Sequence, residues 1–428
     1  MGRAGPAPVT QPDPIAPPRR AATAFIFVTV LLDMLAIGLV IPVLPRLIVE
    51  FLGGDTPRAA EIFGLFGTAW AFMQFIFSPV LGALSDRFGR RPVILLSNLG
   101  LGLDYVVMAL APTLGWLLVG RVLSGITAAS VATAFAYIAD VTPAERRAAA
   151  FGMIGAAFGV GFVLGPALGG LLGGIDLRLP FWAAAGMSLL NFLYGLFVLP
   201  ESLPKARRAP FAWRRANPVG ALALLRGHPG LLGLAGAGFL GQLAHVVLPS
   251  VSVLYMTHRY GWSETTVGLA LAAVGVASMV VQGGLVGPLV ARLGERTALL
   301  FGLAAGAAGF TVYGLAPTGA WFVAGIPVMA LWGIASPAVQ GLMSRRVGPE
   351  AQGRLQGANS SLQGIAGLIG PGLFTLTFAF FIEGHGGWTL PGAPFLLAAV
   401  LLAGAGAVAW RATRAGEGAG DSRRRKDE

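Results

Sequence analysis

Residues 82–92 read GALSDRFGRRP and residues 287–297 read GPLVARLGERT, so both glycines and two of the three arginines recur at an offset of 205 residues. The register holds without gaps for 85 residues from Gly82, through turns as well as apolar runs. The turn APT, for example, occurs at 111–113 and again at 316–318. Solenoids and propellers have units of about 20–50 residues, so they do not explain a repeat of this length. In a membrane chain it indicates two parallel repeats of several helices each.

The composition is that of a membrane protein. Hydrophobic residues make up 55% of the 428-residue chain, charged residues make up 11%, and the mean hydropathy is +0.73. A soluble domain carries about 25% charged residues. Twelve apolar runs reach the roughly 20 residues that a helix needs to cross a bilayer. They are Ala22–Leu44, Phe63–Leu84, Val93–Ala111, Trp116–Ile138, Ala148–Leu172, Leu179–Leu199, Leu231–Met256, Thr265–Val286, Thr297–Ala316, Ala320–Met343, Leu355–Phe381 and Pro394–Ala412.

The repeat and the apolar runs together predict an all-α integral membrane protein, in which twelve transmembrane helices form two pseudo-symmetric six-helix bundles. The predicted segments are a disordered tail at 1–20, a first bundle at 21–199, a linker at 200–229, a second bundle at 230–412 and a tail at 413–428. The first 20 residues are proline-rich and polar, and they lack the apolar core of a signal peptide.

The basic residues lie mostly on one side of the predicted membrane. Of the 30 Lys and Arg residues, sixteen follow even-numbered spans, nine lie in the two tails and four lie in or near loops on the other side. Because cytoplasmic loops carry an excess of Lys and Arg, both termini are predicted to be cytoplasmic. The net charge of +11 therefore reflects topology and contact with anionic lipid, and it does not indicate a nucleic-acid partner.

Enzyme chemistry is the least favoured class of function. The chain has no cysteine and no His, Asp and Glu cluster with metal-ligand spacing, so we expect no metal site and no cofactor. Gly159, Gly161 and Gly165 imitate a dinucleotide-binding loop in their spacing, but they lie in an apolar run without a preceding strand. The absence of a phosphate-binding loop also argues against direct use of ATP by this chain.

The loop that follows the second predicted span combines glycines with both signs of charge. Its positions of interest are Gly82, Asp86, Arg87, Gly89, Arg90 and Arg91. We expect Gly82 to permit close helix contact and Asp86 to cap a cytoplasmic helix end. The arginines can then supply ion pairs that are made or broken as two halves rock. The alternative is that the loop serves only as a basic membrane anchor.

The fifth predicted span is rich in glycine. Gly161, Gly165, Gly169 and Gly170 share one helix with Pro166. Small residues let helix backbones approach closely, and proline bends a helix. We therefore expect a tightly packed, bent helix at a contact between helices.

Three charged residues lie clearly inside predicted spans, all in the first half: Asp33, Asp104 and Arg121. A charge at the bilayer midplane costs about 2.5–3.5 kcal/mol on insertion scales, so such residues usually have a role. Our hypothesis is that Asp33 or Asp104 carries a coupling proton, with Arg121 as counter-charge or gate. The alternative is an Asp–Arg pair that only holds helices together. Asp140 lies at a cytoplasmic helix end and is expected to form an interfacial pair beside Glu145 and Arg146.

The polar residues in the second-half spans are uncharged. The candidates for substrate binding are Gln74 in the first half and Gln242, His245, Gln282 and Gln340 in the second. Amides and an imidazole suit hydrogen bonding to a substrate with several oxygens, and nearby Phe and Trp residues can supply apolar walls.

The loop at 82–92 resembles the signature loop of the major facilitator superfamily, and residues 161–170 resemble the antiporter motif of its drug/proton antiporters. Residues 32–45, LDMLAIGLVIPVLP, 73–82, MQFIFSPVLG, and 120–127, GRVLSGIT, are similar to the tetracycline-efflux branch of that family. The resemblance extends over nearly all of residues 25–410.

This resemblance implies a monomeric exporter in a bacterial-type inner membrane, which moves small amphiphilic molecules outward in exchange for protons by alternating access. It also implies that Asp33, Asp104 and Arg121 occupy positions of functional charges and that Gln74 lies near the path. Proton is the coupling ion, and no cofactor is implied.

Two positions depart from the pattern of the branch. Its eighth helix typically carries a histidine four residues before a glutamine, whereas Ser278 precedes Gln282 here. Its ninth helix typically carries an aspartate, whereas the stretch Ala305-Gly306-Ala307 has no acid. The identity of the substrate is therefore open. An uptake carrier or facilitator of the same fold, and a sensor or partner that moves nothing, are the alternative functions.

Overall fold

A computed structural model describes residues 20–128, 130–142, 147–208, 225, 229–347, 352–384 and 389–427. The chain is helical throughout these ranges apart from short turns. The α-helices are α1 Arg20–Val40, α2 Leu44–Phe51, α3 Thr56–Phe88, α4 Arg90–Leu110, α5 Leu114–Thr127, α6 Ser130–Val141, α7 Arg147–Gly173, α8 Leu179–Phe197, α9 Pro229–His245, α10 Val247–Tyr260, α11 Glu264–Val280, α12 Val286–Leu315, α13 Gly319–Ala330, α14 Ala335–Ser344, α15 Gln352–Ile382 and α16 Ala393–Asp427.

Eleven helical segments of the described chain are long and apolar enough to cross a membrane. One of them, Glu264–Leu315, has 52 residues, which is long enough for two crossings of about 20 residues each. The backbone leaves helical geometry inside this run at Gly294. The prediction of an all-α, multi-pass membrane protein is confirmed. Most of the predicted linker 200–229, the tail before residue 20 and the expected partners Glu145 and Arg146 lie outside the described residues.

The internal repeat is visible in the backbone. Gly89 has φ 111° and ψ 162°, and its counterpart Gly294 has φ 76° and ψ 158°. Both conformations have a positive φ, which glycine adopts without a Cβ clash. Thr113, with φ −146° and ψ 162°, likewise matches Thr318, with φ −133° and ψ 160°. The same two turns therefore connect equivalent helices in each repeat.

Helix α7 packs against α1 on one side and against α11 of the second repeat on the other. A Cβ added to Gly165 would lie 2.6 Å from the Cα of Gly38 in α1. A Cβ on Gly170 would lie 2.9 Å from the Cα of Gly268 in α11. Both distances are too short for a side chain, so glycine is what allows α7 to touch two helices at once. Gly161 and Gly169 also face α1, against Met34 and Leu39.

The two repeats meet along two seams, α7 with α11 and α3 with α15. At one end the seams are closed, since Gly67 packs against Pro371 and Arg46 pairs with Glu264. Toward the other end, glycines on α3 and after α11 have open space around them. A Cβ on Gly82 or on Gly284 would meet no atom within 4 Å. The close contact expected at Gly82 is therefore not formed in this conformation.

Candidate functional site

Asp33 lies on α1 and is buried, with 1% of its surface exposed. Its Oδ1 accepts a hydrogen bond of 2.8 Å from Nδ2 of Asn191 on α8. The same amide group donates to the carbonyl oxygen of Thr29 at 2.9 Å. Since one amide holds both groups, Asn191 fixes the orientation of the Asp33 carboxylate against the first helix.

Asp104 lies on α4 and is fully buried, with 0% exposed surface. It packs against Gly120 of α5, where an added Cβ would lie 2.6 Å from Oδ1. Arg121 on α5 lies within electrostatic range of Asp104. Tyr105 lies within range of Asp104, Arg121 and Asp33 together. The three predicted membrane charges thus lie near enough to one buried tyrosine to act on it electrostatically.

Arg121 is held by an aromatic ring in the described structure. Its guanidinium carbon lies 5.6 Å from the ring centroid of Trp70 on α3, a cation–π distance. The indole Nε1 of Trp70 donates to Oγ of Ser124 at 3.3 Å. Among the described residues, no ion pair within 4.0 Å joins Arg121 to Asp104. Arg121 and Asp104 are therefore not in direct contact in this conformation.

Trp70 is a site residue that sequence reasoning missed. The half-buried Gln74 follows it by four residues on α3, and residues at this spacing share one helix face. The candidate Gln74 therefore lies beside the contact of Trp70 with Arg121. Trp70 could have been identified from the sequence, because it lies one turn before a polar residue inside an apolar span.

In the second repeat, His245 and Trp332 form a contact between rings. Their centroids are 5.6 Å apart and the rings are inclined by 44°. His245 ends α9, and Trp332 lies in the 3₁₀ turn Leu331–Ile334. Gln282 lies in the π-helical turn Val281–Leu285, with its Cγ 3.6 Å from the position of a Cβ on Gly333.

The candidates Gln242 and Gln340 lie on the same helical segments as His245 and Trp332. Gln242 is half-buried and lies one turn before His245 on α9. Gln340 is exposed, and its Nε2 donates to Oγ of Ser336 at 3.4 Å. Trp332, Ser336 and Gln340 follow one another at intervals of four residues, so they lie along one side of the helical segment.

The loop after α3 forms a network of charged groups. Nη1 of Arg90 donates to the carboxylate of Asp86 and to Oγ of Ser85, and Nε donates to Oδ2 of Asp140 at 3.1 Å. Glu201 accepts from the backbone amide of Arg90 at 2.8 Å. Asp140 is therefore paired with Arg90, while its expected neighbours lie outside the described residues.

The two outer arginines of the loop have separate contacts. The guanidinium of Arg87 lies 5.1 Å from the ring centroid of Phe88. Arg91 donates to the carbonyl oxygens of Gly195 and Leu196 at the end of α8. Arg91 thus adds a charged donor at the last carbonyl groups of α8, where a helix end has few donors of its own.

Known proteins agree with this architecture. The model of the Major Facilitator Superfamily matches residues 26–371 and 246–426. The tetracycline resistance protein of class C from Escherichia coli is 41% identical over 82% of this chain and 88% of its own length. The class G protein from Vibrio anguillarum is 39% identical over 86% and 93% of the two chains.

The chain belongs to the major facilitator superfamily, among the relatives of its tetracycline resistance proteins.

Solved structures of the superfamily are similar as well. The human organic anion transporter MFSD10 (TETRAN) has a TM-score of 0.69 and 25% identity, covering 92% of this chain and 100% of its own. The nucleoside transporter NupG has a TM-score of 0.75 at 13% identity, covering 92% and 99% of the two chains, which shows the fold alone.

The position of Gly306 explains one departure of this superfamily member from the pattern of its branch. A Cβ on Gly306 would lie 2.7 Å from Cγ of Trp332. The indole therefore occupies the space that an aspartate at this position would need. Within the described ranges, no group of three or more His, Cys, Asp or Glu side chains is placed to hold a metal ion.

Proposed function

We propose that this superfamily member is a proton-coupled exporter of small amphiphilic molecules, with tetracycline-like drugs as its substrate class. The buried carboxyl groups of Asp33 and Asp104, which share one repeat with Arg121, carry this proposal. Burial disfavours the charged form of a carboxyl group, so a buried carboxyl group can bind and release a proton as its surroundings change. The relationship to the tetracycline resistance proteins supports the substrate class and the outward direction.

The proposed architecture consists of twelve transmembrane helices in two six-helix bundles, at 21–199 and 230–412. The non-helical residue Gly294 supports this count because it divides the 52-residue segment into two crossings. The equivalent backbone at Gly89 and Gly294 supports the pseudo-symmetry. The excess of arginine in loops after even-numbered spans supports cytoplasmic termini. We further propose a monomer in contact with anionic lipid, without a nucleic-acid partner.

The open ends of the two seams then face the cytoplasm. Gly82 and Gly284, which have open space around them, lie near the arginine-rich loops. Arg46 and Glu264 lie at the closed, extracellular end. This arrangement supports an inward-facing state, from which alternating access proceeds when the cytoplasmic ends approach and the extracellular ends separate.

The test is uptake of tetracycline into inside-out vesicles that are energised by a proton gradient. We expect uptake that stops when a protonophore collapses the gradient. Uptake that is insensitive to the protonophore would favour a facilitator and contradict proton coupling. Vesicles that contain the folded protein but accumulate no tetracycline would remove that substrate class.

A matched variant links the measurement to the site. Asp104→Asn keeps the size of the side chain but cannot release a proton, so proton-driven uptake should fall to background. Asp176→Asn is the control, since Asp176 lies in an exposed turn where it accepts from the backbone of Arg178. This control should transport like the wild type.

A further inference from the structure

Three irregular helical turns meet in the second repeat. The chain breaks between α9 and α10 at Val246, turns as a π-helix at Val281–Leu285 and turns as a 3₁₀-helix at Leu331–Ile334. The second and third turns pack against each other, and the ring contact of His245 with Trp332 joins them to the first. Irregular backbone at membrane depth is tolerated where it is buried in protein or lines a water-filled cavity. π-turns occur frequently at functional sites.

The break at Val246 has a local cause. In a continuous helix, the carbonyl of His245 would accept a hydrogen bond from the amide of residue 249, which is Pro249 and has no N–H. The predicted span Leu231–Met256 lies within the helical segment Leu231–Tyr260, which is long and apolar enough to cross a membrane, and the break falls inside it. The break places the imidazole of His245 at the end of a helix. This side chain is exposed.

The ring of Trp332 is fixed from two sides. Gly306 gives it room on α12, and Phe310, one turn further along α12, makes an edge contact with centroids 5.6 Å apart. The inclination of 44° to His245 makes an open corner instead of a stacked pair. A rigid aromatic surface of this kind binds a planar ring without losing much side-chain freedom.

The polar groups at this corner lack partners within the protein. Across the described ranges, the imidazole nitrogens of His245, the indole N–H of Trp332 and the amide of Gln282 make no hydrogen bond. Trp70 in the first repeat differs, because Ser124 accepts from its indole. His245 and Gln282 are exposed and Trp332 is half-buried, so these groups are accessible to water or to a ligand.

We propose that His245 and Trp332 form a substrate subsite that receives a planar conjugated ring bearing hydroxyl or carbonyl oxygens. The ring lies against the indole, while the imidazole and the indole N–H bind its oxygens. Gln282 provides a further donor and acceptor at the edge of this subsite. Gly306 acts as a positioning residue, because any side chain there would displace the indole. This inference rests on the proposed export function and specifies what that function recognises.

The experiment is equilibrium binding of tetracycline to the purified full-length protein, measured without a proton gradient. Trp332→Leu removes both the ring and its N–H, and it should raise the Kd about tenfold. Trp332→Phe keeps a ring and should raise the Kd only about threefold. His245→Leu should raise it about fivefold, and His245→Gln, which keeps hydrogen-bonding groups, should raise it less.

Matched controls use the same residue types outside the corner. Trp321→Leu alters an indole that is 60% exposed on α13, and His258→Gln alters an exposed histidine at the end of α10. Both should keep the Kd of the wild type. Gly306→Ala tests the positioning role without removing a contact group, and it should weaken tetracycline binding in the same direction as Trp332→Leu.

The outcomes separate this inference from the proposed function. Wild-type protein that binds tetracycline without moving it, and loses binding in Trp332→Leu, would support the subsite and overturn export. Wild-type protein that moves tetracycline, with an unchanged Kd in folded Trp332→Phe, Trp332→Leu and His245→Leu, would overturn the subsite alone. Wild-type protein that binds no tetracycline would overturn the inference.

Discussion

Nη2 of Arg345 lies 3.0 Å from Oε1 of Glu295, and this ion pair is the reversed-sign copy of another. At positions 205 residues earlier, Nε of Arg90 lies 3.1 Å from Oδ2 of Asp140. The acid of one repeat thus stands where the base of the other stands. Each pair joins the start of the helix after the repeated loop to the end of a later helix. The location of the pair is retained in both repeats, while its polarity is not.

The reversal predicts that transport requires an ion pair at this location, whichever of the two positions carries the positive charge. Glu295→Arg alone or Arg345→Asp alone places like charges together, and initial rates of tetracycline uptake should fall about fivefold or more. The double variant Glu295→Arg/Arg345→Asp reproduces the polarity of the first repeat and should recover most of the activity. Uptake in vesicles checks this. Failure of the double variant to recover, with normal amounts of protein in the membrane, would show that the sign itself is required.

The two pairs should also differ in their effect on stability. Arg345 is 76% exposed and its partner 19%, whereas Arg90 and Asp140 are 12% and 22% exposed. Exposed pairs contribute about 0–1 kcal/mol, and removal of one partner from a buried pair costs more. Asp140→Asn should therefore lower the unfolding temperature in detergent, while Arg345→Gln should leave it nearly unchanged. Equal shifts would contradict this assignment.

Two glycines of α7 should respond to alanine with opposite signs. At Gly165 a Cβ would lie 2.6 Å from the backbone of α1, so Gly165→Ala should destabilise the protein by about 1–3 kcal/mol. At Gly155 nothing lies within 4 Å, so Gly155→Ala should stabilise by about 0.5–1 kcal/mol through helix propensity. Thermal unfolding of the two variants side by side decides this. A loss of stability in both would mean that helix α7 also packs closely at Gly155.

Much of this fold could be read from the residues. Gly89 and Gly294 share a register because each turn requires a positive φ, and this constraint is visible in sequence. Asp33 and Asp104 were identifiable because a buried carboxylate in an apolar helix is costly. Such signals are local, so they need no knowledge of which helices are neighbours.

The rest depends on tertiary contacts that no local pattern encodes. Trp332 becomes important only because Gly306, on another helix, leaves room for its indole. Gly82 was expected at a close contact, yet it faces open space here, because the pattern does not specify which side of the protein is closed. Asn191 as the partner of Asp33 is separated from it by 158 residues.

The partner of Asp33 provides a test of orientation separate from charge. Asn191→Leu removes the amide that donates to Asp33 and to the carbonyl of Thr29. The carboxylate of Asp33 remains, but Asn191 no longer holds it in one orientation. Proton-driven uptake should therefore fall about tenfold. Asn191→Gln retains the amide group and should recover part of the rate. Wild-type rates in a folded Asn191→Leu variant would show that the orientation of Asp33 is unimportant.

A substitution at Gly82 should impair the conformational change during transport without changing the stability of the folded protein. Because nothing surrounds it in this conformation, Gly82→Val should leave the unfolding temperature unchanged. If the ends of the repeats near Gly82 must approach during transport, the valine side chain destabilises the conformation in which these ends are together by about 1–3 kcal/mol. Uptake should then be slower by a factor of about ten or more. The control is Gly186→Val, at an exposed helical glycine where an added Cβ would also meet no atom within 4 Å. Equal rates for both variants would place Gly82 outside the closing surface.

The ion pair of Arg46 with Glu264, at 2.7 Å, should hold the closed ends of the two repeats together. Thr265 adds a hydrogen bond of 3.2 Å to the carbonyl of Gly170. Glu264→Gln weakens this closure by about 1 kcal/mol, enough to shift the balance of the two states about fivefold. The change should bring the opposite ends of the repeats closer together.

The natural chain has no cysteine, so labels can be placed on Phe88→Cys and Leu293→Cys without other changes. These two exposed positions are equivalent in the repeats. Spin-label distances between them should gain a shorter population in Glu264→Gln, because the ends near the labels close when the ends near Arg46 separate. The swap Arg46→Glu/Glu264→Arg restores the attraction and should return the longer distance. An unchanged distance distribution in Glu264→Gln would show that this pair contributes to packing alone.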